Sequence, residues 1–173
     1  MAPKESQLRI IIIIKKNTLI MKTLLIPIIL TVTSLFVLAE EKPKLQKIEL
    51  SAVGNPPGTM KFAKTEIKAT AGSKIELTFK NPDVLQHNIL ILKPGTKDKV
   101  GALADAMLTD PDAMKKNYVP KSSDIIAASK LVNPGGTEKI VFTIKESGDY
   151  PIICTFPGHW RLMNGILKIT KSE

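Results

Sequence analysis

One cysteine, two histidines and one tryptophan are all that a chain of 173 residues contains of these types. Each scarcity excludes something. A single cysteine permits no intramolecular disulfide, so no disulfide framework holds the fold. Two histidines cannot build a second, catalytic metal cluster beside a first one. No basic run is interleaved with aromatic residues, so nucleic acid is not implied as a partner. No cysteine lies near Ala39, which excludes a lipoprotein anchor there. No twin-arginine pair precedes it, which leaves the general secretory route. No internal repeat or low-complexity tract follows the first forty residues.

Those first forty residues differ from the rest. Met21-Lys22-Thr23 is followed by an apolar run from Leu24 to Leu38 and then by Ala39. A charged start, a hydrophobic stretch and small residues read as a secretory signal peptide cleaved after Ala39. The segment 1–39 is therefore taken as a leader with its true start at Met21, and 40–173 as one domain. The rival is an uncleaved membrane anchor. The run is short against the roughly 20 apolar residues of a spanning helix, and Pro27 interrupts it.

The chain carries 25 basic and 16 acidic side chains. The leader takes five of the first and one of the second, so residues 40–173 keep a net charge of +5. The basic groups are scattered lysines, which describes a solvated surface with a mild preference for acidic partners. A free thiol in an exported protein is a liability unless it is buried or bound to metal.

From Leu45 onward, short apolar stretches alternate with Gly/Pro turns. Lys74 to Lys80 places Ile75, Leu77 and Phe79 on one face and Glu76 and Thr78 on the other, a half-buried strand. Strands are also expected over Leu45–Ala52, Thr65–Thr70, His87–Leu92, Lys139–Lys145, Tyr150–Cys154 and Gly165–Thr170, with a short piece at Met60–Phe62. The stretch from His87 is apolar on both faces and should be central. Strands at this spacing argue an all-β sandwich. One insert, at about 96–118, breaks the pattern. Val100, Leu103, Ala104, Met107 and Leu108 fall at helical spacing behind Thr96 as N-cap, and Asp110 opens a second short helix.

The chemistry is concentrated in Cys154-Thr155-Phe156-Pro157-Gly158-His159-Trp160-Arg161-Leu162-Met163. The spacing is C-x4-H-x3-M, with Phe-Pro-Gly turning the chain between cysteine and histidine. A thiolate, an imidazole and a thioether on one loop are soft and borderline ligands that suit copper. Two histidines, one cysteine and a weak axial methionine make a blue-copper site. His87 is the remaining histidine, so His87, Cys154, His159 and Met163 are the candidate ligands.

This loop resembles the copper loop of the azurins and the related auracyanins, in the cupredoxin family. Gln86-His87-Asn88 followed by Ile89 to Leu92 resembles the family's first-histidine strand, and the likeness spans about Leu45 to Thr170. The resemblance implies a Greek-key β-sandwich with the insert as a helical flap. It implies one type 1 copper ion, with His159 nearest the surface and His87 more buried. It implies an axial backbone carbonyl from the residue before the first histidine, glycine in the azurins and Gln86 here. It also implies that Asn88 hydrogen-bonds across to the loop near Cys154, where Thr155 and Phe156 flank the ligand. An N-terminal disulfide usual in azurins is missing, as it is in the auracyanin branch. Val84, Leu85, Pro157, Gly158, Trp160 and Arg161 would form a docking patch around His159.

The expected function is that of an exported electron carrier, periplasmic or otherwise extracytoplasmic. It would serve c-type cytochromes or a terminal oxidase, reductase or dehydrogenase through transient contacts. Membrane contact enters only if the leader stays uncleaved. With every ligand position filled, no open position is left for catalysis, so no enzyme activity is expected. The alternative is a periplasmic copper chaperone or storage protein, which would exchange metal freely; a metal-free binding module is a more distant one.

Overall fold

The computed structural model describes residues 43–172. The leader, the start at Met21 and the cleavage after Ala39 lie outside the described residues. Among the described residues there are eight strands: β1 (Leu45–Ser51), β2 (Glu66–Thr70), β3 (Lys74–Lys80), β4 (Leu90–Leu92), β5 (Ile125–Ala128), β6 (Thr137–Thr143), β7 (Gly148–Ile153) and β8 (Asn164–Thr170). One α-helix, α1 (Lys97–Ala106), interrupts them after β4.

The strands form two sheets, one of order β1-β3-β6 and one of order β2-β8-β7-β4-β5. β1 runs parallel to β3, and β2 parallel to β8; the other pairings are antiparallel. Alternation decides which faces meet. In the first sheet Ile75 lies opposite Phe142 and Leu77 opposite Ile140, all buried. The second sheet answers with Ile67, Ala69, Ile91, Ile152, Leu167 and Ile169 in the same core. Val141, one residue out of phase, is 51 % exposed.

β4 is buried on both sides, as its unbroken apolar sequence requires. Ile91 joins the inter-sheet core. Leu90 and Leu92 point the other way, into a second cluster with Val100, Ala104, Ile153 and Trp160. The insert therefore covers the outer face of the sheet beside the metal-ligand loop.

Four expectations are corrected. Residues 111–118 form consecutive turns instead of a second helix. Asp110 Oδ1 accepts from the Asp112 N–H at 2.9 Å, which starts a turn, and Asn117 and Tyr118 end the run with φ of 55° and 53°. The first helix ends at Ala106, and Met107–Thr109 tightens into a 3-10 turn that leaves Leu108 58 % exposed. Thr96 occupies the N-cap position, but its hydroxyl donates backward to Lys93 O. His87 also lies ahead of its strand: it makes an isolated bridge with Val132 before β4 begins.

The two faces of the β3–β6 pair differ sharply in what they contribute. Leu77→Ala should cost about 2–5 kcal/mol of folding stability. Val141→Ala, on the solvent side, should stay within about 0.5 kcal/mol. Chemical denaturation of both variants checks this.

Candidate metal centre

Two breaks in the second sheet converge to make the site. His87 lies just before β4 and Cys154 just after β7, the strand paired with it. The connection from β7 to β8 then carries His159 and Met163. Gly158, with φ of 80°, turns the chain between cysteine and histidine where a side-chain-bearing residue would be strained. The His159 carbonyl accepts from the N–H groups of Leu162 (2.9 Å) and Met163 (2.7 Å), making one tight turn. The Cys154 N–H donates to the Met163 carbonyl at 3.0 Å. The backbones of two candidate ligands are thereby tied together.

The donor atoms form a closed triangle. His87 Nδ1 and His159 Nδ1 are 3.2 Å apart, and Cys154 Sγ lies 3.8 and 3.6 Å from them. A planar ion with bonds of about 2.0 Å to nitrogen and 2.3 Å to sulfur, as for zinc, would set those edges at about 3.5 and 3.7 Å. The triangle fits a three-coordinate His2Cys ion. His87, Cys154 and Met163 are fully buried and His159 is 3 % exposed. Met163 lies in the core beside Cys154.

Burial dominates the acid–base state. It pushes the Cys154 thiol up to about 12, although the backbone N–H groups of Asn88 and Phe156 pull the other way. It drives His159 down to about 4, helped by neighbouring His87 and opposed by Asp83. His87 is also lowered by burial, against the pull of Asp83. At neutral pH both imidazoles are therefore uncharged and ready to donate a lone pair, while the thiol holds a proton that a metal must displace.

Asp83 is a functional residue that sequence reasoning missed. It is 1 % exposed, and its Oδ2 accepts from His87 Nε2 at 3.0 Å. With the proton on Nε2, Nδ1 is left free toward the ion. Its Oδ1 accepts from the N–H groups of Gly58 and Val84, both at 2.7 Å. Burial opposes this carboxylate's charge, but these donors together hold it below its ordinary range. The signal in the sequence is an aspartate four residues before a ligand histidine, in a turn begun by Asn81-Pro82.

Asn88 spans to the loop. Its Oδ1 accepts from the Thr155 N–H at 2.7 Å, and its Nδ2 donates to Thr155 Oγ1 at 2.9 Å. The Phe156 ring meets the His159 ring at 4.9 Å, edge to face. Gln86 is half-buried, with its side-chain amide turned to Asn133. Of the expected patch, Val84 is 61 % exposed, Gly158 and Arg161 are exposed, and Leu85 and Pro157 are half-buried. Trp160 does not belong to that surface. It is 8 % exposed and packs in the cluster beneath α1, because its indole N–H finds a carboxylate there, that of Asp105.

A sandwich with a buried His2Cys triangle and an adjacent methionine defines a copper-binding class. Residues 50–170 match the family described as copper binding proteins, plastocyanin/azurin family. The chain belongs to that family. It is 36 % identical over 118 residues to auracyanin-A of Chloroflexus aurantiacus, covering 68 % of this chain and 72 % of that one. It is 33 % identical over 120 residues to azurin-1 of Alcaligenes xylosoxydans xylosoxydans, covering 64 % and 89 %. The solved structure of auracyanin A, titled a "blue" copper protein, superposes with a TM-score of 0.64 at 37 % identity, covering 73 % of this chain and 99 % of that one. The cofactor is one copper ion, and His87, Cys154, His159 and Met163 form its candidate type 1 site.

Two outcomes follow from the site's chemistry. Loading must release the Cys154 proton, so apparent metal affinity should rise about tenfold per pH unit from about pH 7 to 9, and more steeply in acid where the imidazoles also protonate, His159 at about 4. Competition against a chelator of known affinity, repeated across pH, reads this slope. In Asp83→Asn the amide must face either the two backbone donors or His87 Nε2 with an N–H of its own. Metal affinity should fall about 10–100-fold in the same competition assay.

Proposed function

We propose that this protein is an exported electron carrier that moves one electron at a time between redox proteins through its type 1 copper ion. The observation that carries this reading is the closed, buried donor triangle with a core methionine beside it. Copper supplies the one-electron couple. The chain would supply a fixed ligand geometry, so that little would have to move when an electron does. Asp83 and Asn88 hold His87 and the Cys154 loop from two sides. The core around Cys154 and Met163 keeps water from the sulfur. Met163 and this apolar shell would tune the potential of the ion held there. A fully occupied ligand set leaves no place for substrate, which supports a carrier over an enzyme.

His159, nearest the surface of the ligands, is the proposed port for the electron. Val84, Leu85, Pro157 and Gly158 give an apolar rim and Arg161 a charge, suited to small transient contacts. The partners proposed are c-type cytochromes and a terminal oxidase, reductase or dehydrogenase. The signal-like segment ending at Ala39 and the lone thiol support a periplasmic or extracytoplasmic location.

The test is a visible absorption and EPR spectrum after adding Cu(II). An intense thiolate-to-copper band with narrow hyperfine splitting, lost in Cys154→Ser and bleached reversibly by one electron, is the expected result. A colourless product that gives up copper to a mild chelator would instead favour a chaperone or storage protein.

A further inference from the structure

The insert grips the ligand loop on both sides of His159. Upstream, Thr155 Oγ1 donates to the Tyr118 carbonyl at 2.6 Å, and Asn88 Nδ2 donates to the Asn117 carbonyl at 2.8 Å. The left-handed φ values of Asn117 and Tyr118 belong to the turn that presents these two carbonyls. The Tyr118 ring meets Phe156 at 5.4 Å, and Phe156 in turn meets His159.

Downstream, Trp160 is pressed onto α1. Its Nε1 donates to Asp105 Oδ1 at 2.9 Å. The same carboxylate takes Arg161 Nη1 at 3.2 Å and Nη2 at 2.8 Å, and the guanidinium lies 4.3 Å from the Trp160 ring centroid. Gly101 precedes Asp105 by four residues, so both lie on one helix face. A Cβ at Gly101 would stand 2.5 Å from the Trp160 ring. The helix thus provides a flat seat for the indole and an acceptor for its N–H.

Trp160 sits inside the tight turn that runs from the His159 carbonyl to the Met163 N–H. Anchoring its side chain fixes the rotation of that turn. The aim of His159 and the position of Met163 follow from it. We propose that the insert is a clasp on the metal-ligand loop, in which Asp105 and Gly101 are positioning residues acting on His159 and Met163 through Trp160. The proposal deepens the copper-carrier reading and rests on it. The clasp keeps the loop in one shape while the ion is held and slows the opening through which the ion would leave. The Arg161–Asp105 pair is exposed, with side chains 59 % and 32 % accessible, and contributes little by itself. The buried Trp160 contacts carry the grip.

The full chain, loaded with copper, is compared with Asp105→Ala, Gly101→Ala and Arg161→Gln. Copper loss to EDTA is followed by decay of the thiolate-to-copper band. Amide exchange at Leu162 and Met163 is followed in the metal-free protein. Asp105→Ala and Gly101→Ala should each lose copper about tenfold faster or more and exchange both amides faster. Arg161→Gln should stay within about twofold of wild type. Alanine is the better helix former, so faster loss in Gly101→Ala cannot come from a weakened helix. Should Asp105→Ala fail to fold, Gly101→Ala carries the comparison alone. Wild-type rates and exchange in the folded alanine variants would overturn the proposal, as would Arg161→Gln matching them. A wild type with no blue band would instead sink the copper reading, and amide exchange would still decide the clasp.

Discussion

Two imidazole nitrogens 3.2 Å apart, with a sulfur beside both, are brought together from segments far apart in the chain. Burial denies them water. Local contacts aim the side chains, as Asp83 aims His87, but they do not bring His87 to Cys154. The arrangement is imposed by β4 and β7, whose pairing places His87 and Cys154 at neighbouring strand ends. That pairing depends in turn on the core beneath it, where Ile91 and Ile152 meet the apolar face of the opposite sheet. The outer face of the same strands is sealed by α1.

The electrostatic design is spare. Around neutral pH the metal-free ligands carry no charge: the imidazoles have lost their protons to burial and the thiol has kept its own. The formal charge in contact with a ligand is that of Asp83, buried and stabilised by three donors. A buried carboxylate is costly unless it is hydrogen-bonded on all sides, and here each of its bonds is structural as well. Gly58 N–H ties the β1–β2 connection to the site, Val84 N–H shapes the loop ahead of His87, and His87 itself is oriented. One side chain therefore joins a connection, a loop and a ligand.

Much of this was legible in the sequence because it is written in local patterns. The alternation of Ile75, Leu77 and Phe79 is a strand signal, and the C-x4-H-x3-M spacing is a ligand signal that needs no tertiary information. Asn88 was readable through its place next to His87. What was not legible depends on contacts between distant segments. Trp160 was expected at the surface because it follows His159; its burial depends on Asp105 and Gly101, more than fifty residues earlier. Asp83 reads as an ordinary turn residue until the fold buries it against His87. The Asp110 segment has helical spacing, but Asn117 and Tyr118 take left-handed φ values of 55° and 53° as they present their carbonyls to Asn88 and Thr155, and a regular helix does not contain that conformation.

Three of the four candidate ligands lie within ten consecutive residues, from Cys154 to Met163, whereas His87 is 67 residues from the cysteine. Closing the loop of 67 residues costs about 1.7 kcal/mol more than closing the loop of ten. The short loop therefore gathers three of the donors at the lower entropic cost. An ion that binds the unfolded chain as well as the folded one stabilises the fold by less than its full affinity. The stabilisation that copper contributes is then set by the difference the fold makes: the added bond to His87 and the exclusion of water. The short loop offers most of the donors, and the sandwich is what adds His87 and fixes them all in one place.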